Sequence, residues 1–306
     1  MLVISAKFGQ LGNRLFVFAN FIALAREHNF IVLNPAFDEY AHYFETTAKD
    51  FLCCYPKLTI SIKGNEKLRQ KYYDFTRRMS KSRWFNTITI TRERPFSWKK
   101  FNLGQIQRRK LNFFDGYLFR DGWFVEDLEL LRKYAEPIRY YFKPLKKYRD
   151  NVANLIENAR RDTDILVGVH IRQGDYQNHQ NGRYFFTTEE YLELMESVQK
   201  LFDGKRVKFL VCSNTHQDSN LFNRIDWIWG NNQIIEDMYA FAECDYIVGP
   251  YSTYSMWASF YGDKPYYMVR EVNKSIQMKD FVRFHEWKGV FYYHEDWSKS
   301  VWEWTN

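Results

Sequence analysis

The run Ile165-Leu166-Val167-Gly168-Val169-His170-Ile171-Arg172-Gln173-Gly174-Asp175-Tyr176 decides how the rest of the chain is read. Its first seven residues are nearly all apolar and rich in β-branched side chains, the pattern of a strand buried on both faces of a parallel sheet. Its polar residues crowd at the carboxyl end. Around this run the chain alternates between helix-like and strand-like segments. Tyr148 to Ala159 reads as a helix before it. After it, Thr187 or Thr188 is placed to cap a helix reaching about Phe202, with Glu189 and Glu190 in the first turn. Val207 to Cys212 is the next strand, Gln217 to Phe222 a short helix and Gln233 to Glu243 a longer one. Tyr246 to Gly249 is a strand, a Gly249-Pro250 turn leads into a helix from Ser252 to Tyr261, and Tyr266 to Val269 closes the series. Such alternation predicts a parallel sheet with helices on both faces and right-handed crossovers.

The same order opens the chain. Leu2 to Ser5 is a short apolar run, and Ala6 to Asn13 is expected as a loop holding Gly9 and Gly12. Arg14 to His28 follows helical spacing, Asn29 is placed to close that helix, and Ile31 to Asn34 is a second strand ended by Pro35. The chain therefore reads as two α/β units, divided as residues 1–150 and 151–306, and its 306 residues suffice for two separate cores. The middle, from about Asp38 to Phe142, has weaker periodicity and is expected to hold helices and long loops.

Composition narrows the class. With 45% hydrophobic and 26% charged residues the chain is an ordinary globular one, not a disordered one. No apolar stretch approaches the length that spans a bilayer. The apolar run from Met1 to Lys7 is too short for a signal peptide, so a cytoplasmic protein is expected. Four cysteines, Cys53, Cys54, Cys212 and Cys244, form neither a disulfide framework nor a metal knuckle, and the adjacent pair is expected to pack as small apolar residues.

Charge is unevenly spread. Between Lys63 and Lys110 stand 15 Lys or Arg against three acids, a surplus of twelve that leaves the remainder near −5 against the overall +7. Tyr72, Tyr73, Phe75, Trp84, Phe85, Phe96, Trp98 and Phe101 are interleaved with them. The block is either a solvated segment whose charges keep it soluble or a contact surface for anions. Single-stranded nucleic acid would suit the composition, but no nucleic-acid motif accompanies it, and an anionic membrane is the better functional candidate.

Ligands of doubly wound sheets lie beyond the carboxyl ends of the strands, and that rule selects the candidate site. His170-Ile171-Arg172-Gln173-Gly174-Asp175-Tyr176 ends one strand, Ser213, Asn214 and Thr215 end the next, and Gly249 to Ser255 lead from a third into a helix. Arg172 offers a permanently charged planar fork suited to a diphosphate. Ser252, Thr253 and the free N–H groups at the helix start suit an anion. Glu236 and Asp237 are acids able to accept from a base edge or a ribose hydroxyl. Together these describe a nucleotide-diphosphate pocket, although each taken singly is also explained as a cap or a strand-end polar residue.

The stretch Val167 to Tyr176 resembles the His-x-Arg-Arg-Gly-Asp-Tyr signature of the α-1,2-fucosyltransferases, glycosyltransferase family 11. Gly9-Gln10-Leu11-Gly12-Asn13-Arg14-Leu15-Phe16 is similar to that family's Gly-Gly-Leu-Gly-Asn-Gln-Met/Leu-Phe loop. Asp237-Met238 through Cys244, then Ser252-Thr253-Tyr254-Ser255-Met256-Trp257, resembles its Asp-Leu…Cys…Ser-Ser-Phe-Ser-Trp-Trp segment. The three stretches occur in the family's order between residue 3 and about 270; residues from about 40 to 150 show no such likeness.

The resemblance implies a GT-B-like fold, two Rossmann-type domains facing a cleft, with the acceptor on the N-terminal side and the nucleotide sugar on the C-terminal side. It implies an inverting transfer of L-fucose from GDP-β-L-fucose to the 2-OH of a galactoside, with no metal and no cofactor beyond the donor. A metal-diphosphate Asp-x-Asp would follow a strand, whereas Asp162-Thr163-Asp164 precedes one and reads as a turn or cap. Arg172 is assigned to the charge left on the β-phosphate, with Ser252, Thr253 and the neighbouring backbone beside it. Asp175 either serves as general base or braces Arg172 as an ion pair. His170, Ser213, Asn214, Glu236, Asp237, Tyr254, Gly12 and Asn13 complete the expected donor-binding set, His170 chiefly by orienting its neighbours. The expected partners are a galactose-containing acceptor, lipid-linked if the basic block serves a membrane, and no nucleic acid. That places the enzyme in the cytoplasm, peripheral to the inner face of the membrane. Gln173 stands where the signature has a second Arg, Gln10 replaces a Gly, Arg14 replaces a Gln, and Tyr254 and Met256 replace Phe and Trp. Two alternatives stay open: a transferase of another GDP-sugar, and a non-catalytic glycan-binding protein.

Overall fold

The structure, a computed structural model, describes residues 1–57, 64–88, 92–93, 97–98, 106, 110–114, 119–120, 123–124, 128–272 and 274–287. These fall into two compact units, Met1–Leu145 and Lys146–Trp287.

In the first unit β1 (Leu2–Ile4) runs into α1 (Leu11–His28), β2 (Val32–Leu33) and β3 (Cys54–Tyr55). Helix α2 (Glu66–Ser80) and β4 (Asn86–Ile88) follow, then a short antiparallel pair, β5 (Arg92–Glu93) and β6 (Ser97–Trp98). Next come β7 (Asn112–Phe114), a second short pair formed by β8 (Phe119–Arg120) and β9 (Trp123–Phe124), and helices α3 (Leu128–Lys133) and α4 (Ala135–Tyr141). The five-stranded sheet has the order β3-β2-β1-β7-β4, parallel except for the β3 edge. Helix α1 starts three residues earlier than its apolar spacing suggests, so Gly12 and Asn13 lie in its first turn rather than in a loop. Asn29 closes it in the left-handed conformation, its N–H donating to the Ala25 carbonyl. Cys53 and Cys54 are buried and free, as expected of small apolar residues. Strands β4 and β7 correct the expectation of helices and loops alone in the middle of the chain. Of the basic block, Lys63, Arg94, Lys99, Lys100, Arg108 and Arg109 lie outside the described residues.

The second unit is one doubly wound layer. It comprises α5 (Lys146–Ala159), β10 (Ile165–Ile171), α6 (Thr188–Lys200), β11 (Val207–Ser213), β12 (Trp227–Trp229), α7 (Ile234–Glu243), β13 (Tyr246–Pro250), α8 (Thr253–Gly262) and β14 (Tyr266–Val269). Thr187 and Glu190 form a reciprocal capping box at the start of α6. The sheet order is β12-β11-β10-β13-β14, parallel throughout. From β10 the chain steps outward twice, then crosses back to the other side, which puts the reversal of strand order between β10 and β13. Such a switch point opens a crevice beyond the carboxyl ends. Strand β12 was not legible as a strand, and the segment read as a helix before it is a 3-10 turn over Ser219–Phe222.

Alternation along β10 separates its two faces. Val167, Val169 and Ile171 join one buried core with Tyr191, Leu194, Phe209, Val211 and Val248. Gly168 faces α7, where an added Cβ would lie 2.6 Å from the Phe241 ring. Helices α7 and α8 approach as closely as backbones allow: a Cβ on Gly262 would stand 2.1 Å from the Ala242 carbonyl oxygen. Among the described residues no helix is long and apolar enough to cross a membrane. Because α7 and α8 cannot separate without losing this packing, Gly262→Ala is expected to lower the unfolding free energy by about 1–3 kcal/mol. Urea titration followed by circular dichroism measures it, and a change under a few tenths of a kcal/mol would contradict the packing account.

Candidate active site

The site begins where β10 leaves the sheet. His170 is its last inward-facing polar residue, with Nδ1 2.7 Å from Ser255 Oγ and its ring 5.0 Å from that of Tyr254. Burial, with the Arg172 charge second, lowers the imidazole to about 3, so His170 is neutral at physiological pH. It joins β10 to the first turn of α8. Tyr254 is tied in turn to α7, its hydroxyl donating to the Ile234 carbonyl at 2.6 Å. Ser252 caps α8, its Oγ accepting from the Tyr254 N–H at 3.3 Å, and Thr253 is the half-buried first residue of the helix. Ser252 is thus spent on the helix end it was expected to share with an anion.

Arg172 stands one residue beyond the strand. Nε donates to Asp175 Oδ1 at 3.2 Å and Nη2 to Oδ2 at 2.7 Å, a two-pronged pair. The guanidinium carbon lies 4.6 Å from the centroid of the Tyr176 ring, and the Tyr176 hydroxyl donates to the Tyr251 carbonyl at 2.6 Å. The fork is therefore held from one side by a carboxylate and supported on an aromatic platform fastened just past the end of β13. The hydrogen bonds from Arg172 hold the Asp175 carboxyl below its ordinary range. With 52% of the Asp175 side chain exposed and 17% of the Arg172 side chain, the carboxylate faces solvent while the arginine is largely covered, and water at the carboxylate keeps the contribution of the ion pair to stability small.

Gln173, in place of an arginine, does different work. Its Nε2 donates to the Phe186 carbonyl and to Thr188 Oγ1, while its Oε1 accepts from Thr215 Oγ1 at 3.1 Å and Gln217 Nε2 at 2.9 Å. Its backbone N–H donates to Asn214 Oδ1 at 2.9 Å, and Asn214 Nδ2 reaches Asp175 Oδ1 at 3.4 Å. Gln217 also donates to Ser213 Oγ at 3.1 Å. A neutral network thus sets the loops after β10 and β11 against each other. Gln217 was not singled out from the sequence, because a lone glutamine in a loop carries no pattern.

Beside this network lies a cleft of ≈ 590 Å³ at the carboxyl ends of β11 and β12, lined by Ser213, Asn214, Thr215, Trp229, Gly230 and Asp237 among others. Asp237, 7% exposed, sits on its wall with Oδ1 lacking any hydrogen-bond partner. A Cβ on Gly230 would meet that oxygen at 2.5 Å, so glycine is required for the close approach. Burial raises the Asp237 carboxyl to about 6. Its neighbour Glu236 is not brought to the cleft: Oε1 accepts from Asn151 at 2.6 Å and Oε2 from Asn231 at 2.8 Å, which fastens α7 to α5. The expected pair of acids therefore divides into one structural and one cleft-facing residue. Among the described residues no group of three or more His, Cys, Asp or Glu is placed to hold a metal ion.

In the first unit, Gly9 adopts a left-handed conformation with φ +59°, and a Cβ there would lie 2.0 Å from Asn13 Nδ2. Asn13 folds back over Gly9, and Arg14 holds the same loop by donating to the Gly9 carbonyl at 3.1 Å. Gly12 is buried within α1.

A parallel, doubly wound sheet with a charged fork at its switch point and a polar cleft beside it belongs to the nucleotide-binding α/β class. The chain is a member of glycosyl transferase family 11, whose model matches residues 84–291. That span takes in the whole second-unit site and extends into the middle of the chain where no likeness was read, while the Gly9–Phe16 loop lies outside it. No curated protein sequence matches the chain. Among solved structures, a mutant of Arabidopsis thaliana FUT1 in complex with GDP is 13% identical with a TM-score of 0.58, covering 92% of this chain and 73% of its own. NodZ α-1,6-fucosyltransferase soaked with GDP-fucose, a protein also solved from Bradyrhizobium, is 15% identical with a TM-score of 0.51, covering 86% of this chain and 92% of its own. These likenesses place the fold with GT-B-like glycosyltransferases.

The raised Asp237 carboxyl has a measurable consequence. The folded state holds its proton more tightly than the unfolded chain, so stability falls as pH rises from about 4 through about 6 and the full cost persists above. Asp237→Asn is expected to be more stable than the native protein by about 1–3 kcal/mol near pH 8, a gain that disappears near pH 4. Denaturant titrations at both pH values check this, and equal stability at the higher one would overturn the assignment.

Proposed function

We propose that this chain is an inverting fucosyltransferase that moves L-fucose from GDP-β-L-fucose to the 2-OH of a galactoside, forming an α-1,2 linkage without a divalent metal. Membership of glycosyl transferase family 11 supports the transferase class, and the solved relatives named with GDP and GDP-fucose support the donor. The observation that carries the reading is the Arg172–Asp175 fork at the end of β10, beside the polar cleft.

In this reading the cleft takes the guanosine part of the donor. The unpartnered Asp237 oxygen accepts from the N–H groups on the edge of the base, which meets the hydrogen-bonding need of a buried carboxylate. Ser213 and Asn214 face the nucleotide, and Thr253 with the start of α8 faces a phosphate. Arg172 stands at the β-phosphate. As the C1–O bond breaks, its electron pair goes to the β-phosphate oxygen, and a fixed cation there stabilises the departing charge. The acceptor hydroxyl oxygen attacks C1 from the opposite face, which inverts the anomeric centre, and its proton passes to bulk water as the new C–O bond forms, with no protein base assigned. Asp175 is read as the positioning residue for Arg172 rather than as the base: its two oxygens already accept from the guanidinium, and its lowered pKa makes it a poor proton acceptor. Neutral His170 orients Ser255 and Tyr254. Gly12 and Asn13 are assigned to sugar binding in the first unit. Peripheral contact of a cytoplasmic enzyme with an anionic membrane, and a lipid-linked acceptor, belong to the same reading through the basic block.

Two measurements test it. Calorimetric titration with GDP, GDP-fucose, UDP and NAD is expected to give binding for the guanosine ligands alone. Transfer or hydrolysis from GDP-mannose and not from GDP-fucose would replace the donor. Arg172→Ala is expected to lower kcat on the order of 10²–10³-fold with the unfolding midpoint unchanged, since the fork adds little to the core. Retained turnover would remove Arg172 from the mechanism.

A further inference from the structure

Much of the described part of the basic block lies on helix α2 and the turn after it, where a seated face and an exposed face are separated. Arg69 seats the helix, with Nη2 donating to the Thr47 and Ala48 carbonyls at 2.8 and 2.9 Å. Thr76 and Ser80 are buried on the same side, about two and about three turns further along. Lys7 ties the helix to the segment after β1, reaching Gln70 Oε1 at 3.2 Å and lying 4.4 Å from the Tyr73 ring centroid. The inward face is thus fixed by buried polar groups. The outward face carries apolar side chains that a solvated helix does not need: Leu68 is 45% exposed, Phe75 59%, and Trp84 in the following turn 81%.

Leu68 and Phe75 are seven residues apart and share one stripe. Lys71 and Arg78, each three residues further on, form the stripe beside it, and Lys67, Lys81 and Arg83 extend the positive charge. Among the described residues these five cations make no ion pair, and Glu66 and Asp74 are the acids of the helix. Apolar side chains flanked by unpaired cations on one face of a helix are the pattern of an interfacial element. The apolar groups enter the acyl boundary while Lys and Arg meet anionic headgroups.

We infer that the outward face of α2 and the turn after it, through Leu68, Phe75 and Trp84 with Lys67, Lys71, Arg78, Lys81 and Arg83, is the docking surface for an anionic lipid bilayer. The inference rests on the membrane contact proposed above and is independent of the donor assignment. Lipid is favoured over nucleic acid because Leu68 has no ring to stack on a base, and it shares a stripe with Phe75 where a phosphate-binding surface would place a charge.

Co-sedimentation with phosphatidylserine–phosphatidylcholine vesicles, against pure phosphatidylcholine, tests it. The full chain is expected to bind the anionic vesicles alone and to release in high salt. A Lys71→Gln/Arg78→Gln variant is expected to bind on the order of 20-fold more weakly, about fivefold per charge. Leu68→Ser/Phe75→Ser, which leaves every charge in place, is expected to lose binding as well; unchanged binding would mean that cations alone are at work and would overturn the docking surface. So would absence of binding to the anionic vesicles, or their full displacement by a single-stranded oligonucleotide with no vesicle preference in its absence. GDP titration of the same variants is expected to match the native chain. Loss of vesicle binding with GDP binding intact therefore bears on this surface only, and loss of GDP binding in the native chain bears on the donor reading only.

Discussion

A charged fork keeps one orientation only if it is restrained, and here the restraint is the two-pronged contact between Arg172 and Asp175 at the end of β10. The strand supplies the fixed end. It is paired in parallel with β11 over its whole length and with β13 over Val167–Val169, and one of its faces lies in a closed apolar core. Everything beyond Ile171 inherits that position. Tyr176 closes the arrangement by supporting the guanidinium and fastening to Tyr251. A short i,i+3 ion pair on a solvent-facing turn adds little stability, so its value lies in orientation.

The groups around the fork divide into those satisfied within the fold and those left wanting. Gln173, Thr215, Gln217 and Ser213 bond to one another, Glu236 is held by two asparagines, and Ser252 is consumed as a cap. Asp237 is different. It is buried, its carboxyl is raised, and one of its oxygens has no partner. Such a residue is held at a cost to the stability of the fold, because a buried polar atom without a hydrogen-bond partner has lost its water and gained nothing in exchange. Gln173 fits this division: its amide donates to Phe186 and Thr188 and accepts from Thr215 and Gln217, whereas a guanidinium could only donate.

Much of the site was legible because the parallel strands impose a strong pattern. A strand buried on both faces admits few residues but apolar ones, so Ile165–Ile171 announced itself, and with it the polar residues Arg172 and Asp175 placed at its end. Asn29 was plain as a cap and the start of α6 was narrowed to Thr187 or Thr188, of which the fold uses Thr187, since a capping side chain or a left-handed backbone completes a local hydrogen-bonding pattern. Strands β7 and β12, three residues each, carry too few positions for any period, and their nearest pairing partners along the chain are 26 and 18 residues away, a relation no local window contains. Helix α1 was expected too short for a related reason: Gly12 and Asn13 are poor helix formers, yet the turn they form is held by Arg14 and by the fold of Asn13 over Gly9.

By itself the amino-acid order determined the alternation of strands and helices, the side of the sheet at which polar residues gather, and the block of positive charge. Those follow from burial and propensity, which act over a few neighbouring residues. Which of two adjacent acids meets the cleft, whether Asp175 stands alone or grips Arg172, and which face of α2 remains uncovered were decided only by tertiary structure. Each depends on how far a side chain lies from groups distant in sequence, and hydrogen bonding and desolvation change over fractions of an ångström that residue order does not encode.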